Sequence, residues 1–407
     1  MNRYVVASLL VGILVANPAI AQEPATEYEA IRRDIAALSE RLQKLEQENA
    51  ALKQQNEELV KAMQGQTPVP APAVAQASSP TEPKPAPAPW YENVKVSGYG
   101  FGDAYGLIDH HDAKVENQTG FWIRRAYLTV DSKVSDTWSA RLRFEVNSPG
   151  DFTTSGPLDP YVKDAYLAWK DGGRELYLGI SPTPSFDFIE GFWGYRHIEK
   201  TPLDLYRMAG SRDFGVAYKG TAHDGKVFYH AMLGNGSGVN SETNEGKKGM
   251  FSLGFNLTDA LTAQLYADYE DRPNSGNRTT YQGFLAWNGE RSHYGLLYAW
   301  QNREVQGGPD KPVSVASIFG AWDLTEKSTL VARYDRSFEG YSDASKIPYL
   351  VIADNTEFDF ALLAWNYQLH KQISFGPNLE YVMYHETNGF PAPENDLMIR
   401  GTLYYQF

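Results

Sequence analysis

The sequence predicts an all-β transmembrane barrel of about sixteen antiparallel strands, preceded by an N-terminal α-helical coiled coil. Three observations carry the expectation. Apolar and polar residues alternate with period two from Val94 to the last residue. The connections between the alternating runs are long and short by turns. A heptad repeat fills residues 27–63. Bulk composition alone resembles a soluble protein, with 21% charged residues, but a barrel that alternates its faces keeps a low mean hydropathy. The 26 Tyr, 9 Trp and 35 Gly fit aromatic girdles and glycine-rich turns. The chain has no cysteine, which excludes disulfides and thiolate metal sites.

Residues 1–21 have the form of a secretory signal peptide. Arg3 gives a positive start, Val5–Val15 is a short apolar core, and Ala19-Ile20-Ala21 is a small-x-small cleavage site. The core is too short to span a bilayer. Residues 22–63 follow as a periplasmic coiled coil. One seam position holds Ile31, Leu38, Leu45, Leu52 and Leu59, and the other holds Tyr28, Ile35, Leu42, Asn49, Asn56 and Met63. Spacings of four and three alternate without a slip and the other positions are polar, so such a helix needs partners. Two seam asparagines favour a dimer in simple zippers, and a trimer is the competing expectation. Residues 64–89 are rich in Pro and Ala and read as an extended linker.

Residues 90–407 form the barrel. The alternating runs fall at 94–107, 120–133, 137–147, 160–170, 174–181, 211–220, 226–234, 248–257, 261–271, 279–288, 291–303, 313–323, 328–338, 356–368, 371–386 and 396–407. In the third run Trp138, Ala140, Leu142, Phe144 and Val146 share one face, and Ser139, Arg141, Arg143, Glu145 and Asn147 share the other. Many runs reach ten residues or more, the length of a tilted membrane strand rather than of a soluble sandwich strand. With a periplasmic N-terminus the odd connections are external and long, and the even ones are short. That asymmetry belongs to outer-membrane barrels. The last run ends on Phe407, and a terminal aromatic there resembles the signal read by the barrel-assembly machinery.

The longest connection, 182–210, carries Phe186, Phe188, Phe192, Trp193, Tyr195 and Tyr206 beside Arg196, Lys200 and Arg207. Its aromatic content argues against disorder. It is expected to fold into the barrel and bring positive charge to the pore, with docking on a neighbouring subunit as the alternative. With the apolar face turned to lipid, Arg125, Arg141, Arg143, Arg333 and Arg400 face the lumen, where guanidinium forks can hold a passing anion. The competing role for each is pairing with lumenal carboxylates such as Asp131, Glu145, Asp164 and Asp335 to stiffen the wall. Asp109-His110-His111-Asp112 has metal-ligand composition, but no local periodicity aims the side chains together, so no metal site and no cofactor are expected. No nucleophile–base spacing points to an enzyme. Residues 90–407 hold 29 Lys/Arg and 40 Asp/Glu, a net charge of −11, which argues against nucleic-acid binding.

The runs Arg124-Arg125-Ala126-Tyr127-Leu128-Thr129-Val130, Trp138–Asn147 and Lys163-Asp164-Ala165-Tyr166-Leu167, with Leu176–Ile180 before the long connection and Arg212-Asp213-Phe214-Gly215-Val216 after it, resemble the phosphate-selective porin O/P family. The resemblance covers about Val94 to Phe407. It implies a sixteen-stranded porin, usually trimeric, with an inward third loop and anion-favouring arginines. The coiled coil and linker are similar to those of trimeric porins associated with dicarboxylate uptake. The expectation is a passive outer-membrane channel in a Gram-negative bacterium for small anionic solutes, with lipid, further copies of itself and peptidoglycan as partners. The competing reading is a tether that links the barrel to the cell wall through the coiled coil.

Overall fold

The computed structural model describes residues 90–407, together with Lys44 and Gln47, which are helical and exposed. The expected signal peptide (residues 1–21), the heptad seam from Tyr28 to Met63 and the Pro/Ala-rich segment lie outside the described residues.

After a short 3-10 turn at Trp90–Asn93, the chain forms sixteen strands. They are β1 (Val94–Asp109), β2 (Thr119–Lys133), β3 (Trp138–Val146), β4 (Tyr161–Asp171), β5 (Arg174–Pro182), β6 (Arg212–Ala222), β7 (Val227–Gly234) and β8 (Lys248–Asn256). The second half comprises β9 (Leu261–Glu270), β10 (Arg278–Asn288), β11 (Ser292–Arg303), β12 (Lys311–Thr325), β13 (Ser328–Ser337), β14 (Phe358–His370), β15 (Ile373–Tyr384) and β16 (Asp396–Gln406). Each strand pairs antiparallel with its neighbours in sequence, and β16 pairs with β1 to close the barrel. Closure leaves no unpaired edge. The last residue takes part in it: Phe407 N–H donates to Gly98 O at 2.9 Å, and Gly98 N–H donates to Phe407 O at 3.2 Å. A Cβ on Gly98 would stand 2.7 Å from the Phe407 ring, so only glycine lets that ring lie flat on the seam.

The outer surface is apolar. Leu142, Leu178, Leu265, Leu285, Ile318, Leu363, Leu379 and Ile399 are exposed there. Trp138, Tyr218, Trp287, Phe375 and Tyr405 lie toward the short-turn end, and Phe121, Phe214, Tyr269 and Tyr281 lie toward the long-loop end. A leucine band between two aromatic girdles is what a bilayer solvates and water does not.

Sixteen strands enclose more space than wall side chains can fill. Two long connections fold inward and occupy it. L3 (residues 183–211) contains α1 (Asp187–Trp193) and α2 (Pro202–Leu205). L7 (residues 338–357) has a 3-10 turn at Ala344–Lys346. L3 docks on a part of the inner wall that is itself apolar, formed by Phe284 and Ala286 of β10, Leu297 and Ala299 of β11, and Phe319 and Ala321 of β12. Trp193 meets Phe319 edge-on at 4.7 Å between centroids, and Phe192 meets Phe284 at 5.7 Å. Full burial of one large apolar side chain is worth about 1.5–3 kcal/mol, so these anchors hold the loop off the membrane face and inside the barrel. Turning the apolar face of each strand to lipid implies a polar inner wall. On these strands it is not, because its partner is a protein loop rather than water.

Candidate functional site

The site is the ring of charge where L3 crosses the lumen. Its cationic wall comes from β2, β3 and β4, and two bulges shape it. Phe101 pairs with Arg125 but Gly102 pairs with Ile123, so Arg124 is an extra residue in β2. Arg143 pairs with Asp164 but Phe144 pairs with Val162, so Lys163 is an extra residue in β4. A bulge lets two successive residues share one face. Arg124 and Arg125 therefore both enter the lumen, as do Lys163 and Asp164, and all four are buried. Strict alternation admits only Arg125 and Asp164. Arg124 and Lys163 escaped the sequence reading for that reason, although the Arg-Arg pair itself was a visible signal.

The arginines divide by what they hold. Arg124 binds Asp103 (3.1 Å) and donates to the backbone carbonyls of His197 and of Ile198 (2.8 Å). Arg333 binds Asp335 (2.9 Å) and donates to the Lys200 carbonyl. Arg400 bridges Glu199 (3.0 Å) and Glu380 (2.8 Å) and donates to the Tyr349 carbonyl in L7 (2.5 Å). These three clamp the inward loops. Arg141 is spent on Asp131 at 2.7 and 3.0 Å. Arg143 bonds Thr129 (2.8 Å) and shares Asp164 with Arg212. Arg196 sits between Glu190 (3.1 Å) and Asp204 (2.8 Å), all within L3. Arg207 is exposed at the end of L3, where it donates to Lys346 O of L7 at 3.0 Å.

Among the described residues, cations without a carboxylate in contact remain at Arg278 and Arg303, cross-strand partners on β10 and β11, and beside L3. Arg125 and Lys163 both bind the single carboxylate of Glu145. Lys200 of L3 is buried, and among the described residues no acceptor lies within hydrogen-bond or ion-pair reach of its Nζ. Burial, and then the repulsion of Arg125, push the Lys200 ammonium down to about 8. Burial alone would raise the Asp204 carboxyl, but Arg196 and Lys200 outweigh it and hold Asp204 well below the usual carboxylate range. Burial also drives His197 down to about 4, so its ring is neutral, with Nε2 against Asn366 Oδ1 at 3.0 Å. Toward the short turns, a cavity of about 370 Å³ is lined by Tyr99, Arg196, His197, Asn366, Gln368 and Tyr404 among others.

L7 was read from the sequence only as a long connection. It lies over L3 and reaches the opposite wall. Tyr349 OH donates toward the carbonyls of Arg124 (2.9 Å) and Ser148 (2.6 Å), and its N–H donates to Gly150 O at 2.7 Å. Gly150 has φ 74°, and a Cβ there would stand 2.8 Å from the Tyr349 ring. Tyr341, Ile347, Leu350 and Ile352 are buried with it.

No family model and no curated protein sequence matches this chain. Solved structures do. The anion-selective porin from Comamonas acidovorans is similar with a TM-score of 0.59 at 12% identity, over 77% of this chain and 99% of that one. The outer membrane channel DcaP of Acinetobacter baumannii gives 0.56 at 13% identity, over 77% and 97%. The trimer form of OmpT of Vibrio cholerae gives 0.53 at 14% identity, over 77% and 99%. At such identities the likeness shows the fold: a sixteen-stranded porin barrel.

Proposed function

We propose that the protein is an outer-membrane porin through which small hydrophilic solutes diffuse passively, with a preference for anions such as phosphate or dicarboxylates. One observation carries the preference: Lys200, with no carboxylate in contact distance, is repelled by Arg125, which shares the single carboxylate of Glu145 with Lys163. An anion that sheds part of its water shell there gains interaction with the cations that Glu145 and Asp204 only partly offset, while a cation meets net repulsion. The opposite sign of charge on the whole barrel does not weigh against this, because exposed charges more than a Debye length of ~8–10 Å away are screened by salt. The apolar outer band, the girdles and the closed strand order support the membrane location. The porin neighbours, one of them described as a trimer and one as anion-selective, support self-association and the anion preference.

The test is single-channel recording in chloride with phosphate or succinate added. The proposal expects concentration-dependent interruption of the current, and weaker interruption in Lys200→Gln. Current that is indifferent to both anions contradicts the assignment of these solutes.

A further inference from the structure

The sequence places His110 and His111 side by side in a loop, and nothing local brings them a third ligand. The barrel closure does. At the end of β1 the register with β16 slips by one residue, so that Leu107 faces Met398 and Asp109 faces Leu397. The next position on β16 is Asp396, and it lies against the two histidines. The His111 amide donates to Asp396 Oδ1 at 2.7 Å, and His111 Nδ1 stands 3.0 Å from both carboxylate oxygens. The His110 and His111 rings stack at 4.4 Å. One potential ligand atom from each of the three residues lies within 4.8 Å of the other two. It is the only such group of three among the described residues, which include all eight histidines of the chain.

Two features mark the group as more than a hydrogen-bonded pair. His110 is buried, yet its Nε2 has no hydrogen-bond partner among the described residues. A buried polar atom with no partner is unusual and calls for one. The carboxylate is held from behind: Tyr384 OH donates to Asp396 Oδ2 and stands 3.1 Å from His111 Nδ1. A fixed outer partner of this kind orients a ligating carboxylate.

We propose that His110, His111 and Asp396 bind a divalent transition-metal ion, with zinc as the best fit. Two imidazoles and one carboxylate suit zinc, copper or nickel, whereas calcium and magnesium require oxygen ligands. Two ligand atoms ~2.0–2.1 Å from a shared tetrahedral ion stand ~3.3 Å apart, close to the 3.0 Å between His111 Nδ1 and Asp396. The ion takes the place of the proton shared by that pair, and the proton leaves to solvent. His110 has two ways in. Its Nδ1 accepts the Asp112 amide at 3.0 Å and its Nε2 is free, so recruiting the ring costs at most that one hydrogen bond. Three protein ligands leave a fourth position open to water.

The experiment is isothermal titration of Zn²⁺ into the folded, chelator-washed, full-length protein, with the visible spectrum of Co²⁺ as a second readout. One saturable equivalent is expected, together with the intense bands of four-coordinate cobalt. His110→Gln leaves every contact between His111, Asp396 and Tyr384 in place. Removing this ligand is expected to weaken Zn²⁺ by more than the roughly 10–100-fold typical of losing an outer partner. His230→Gln, on the inner wall of β7, leaves binding unchanged. Absence of a saturable equivalent overturns the proposal, as does Zn²⁺ affinity indifferent to His110→Gln. If that variant fails to fold, the parent decides: a faint six-coordinate aqueous cobalt spectrum overturns the site, and intense four-coordinate bands support it.

Discussion

Lys200 and Arg400 show how differently two lumenal cations act. Lys200 has no carboxylate in contact distance among the described residues, and burial pushes its ammonium down to about 8. It is charged below that pH and neutral above it, so anion preference is expected to be full at pH 6–7 and to fall as pH rises through about 8. Bilayer reversal potentials recorded from pH 6 to 9.5 check this; Lys200→Gln should shrink that step, and an unchanged step would contradict the assignment to Lys200. Lys200→Glu should lower the anion-to-cation permeability ratio by about fivefold or more, since ~1 kcal/mol is the interaction of two unit charges at 4 Å even in bulk water. Arg400 behaves as a structural residue. It holds Glu199 and Glu380, both buried, and removing one partner from a buried ionic group costs about 3–5 kcal/mol. Arg400→Met is therefore expected to lower the temperature at which the folded barrel is lost on unboiled gels. A change in selectivity with unchanged stability would contradict the clamp. Arg207, exposed and bound to a loop carbonyl, predicts small effects on both readouts.

The strands were legible to within two residues at every boundary, and the reason is mechanical. Each strand of the wall divides membrane from lumen, so period-two alternation persists for nearly its whole length. The bulges at Arg124 and Lys163 were not legible, because an extra residue breaks the alternation for one position only and looks like noise. The apolar inner patch of β10–β12 was not legible either, since Phe284 and Phe319 face a loop whose position only the fold reveals. L3 announced itself through its length and aromatics. L7 did not, although Tyr341, Ile347, Tyr349 and Ile352 now stand out as its anchors. L7 lies over L3 and pins it through Arg207 and Arg400. Deleting residues 343–353 is expected to raise single-channel conductance and to broaden its distribution. Unchanged conductance would mean that L7 leaves the path of ions free.

At the scale of the whole molecule, the barrel 90–407 contains every residue assigned to conduction, and the coiled coil was inferred from its heptads alone. Removing residues 22–89 while keeping residues 1–21 should therefore leave conductance per channel unchanged. Any loss of cell-wall association in that variant would give the extension its own role without touching the pore. The sequence indicated a channel through strand number and loop asymmetry, but it could not show how many lumenal arginines are neutralised. Most of them are, and the anion preference rests on the charges left over, those around Lys200 and the Arg278–Arg303 pair of β10 and β11. The reversal potential of the full-length protein across a KCl gradient in a planar bilayer measures that remainder directly. An anion-selective potential at neutral pH is the expected result; a cation-selective potential, or a reconstituted barrel that passes no current, would contradict it.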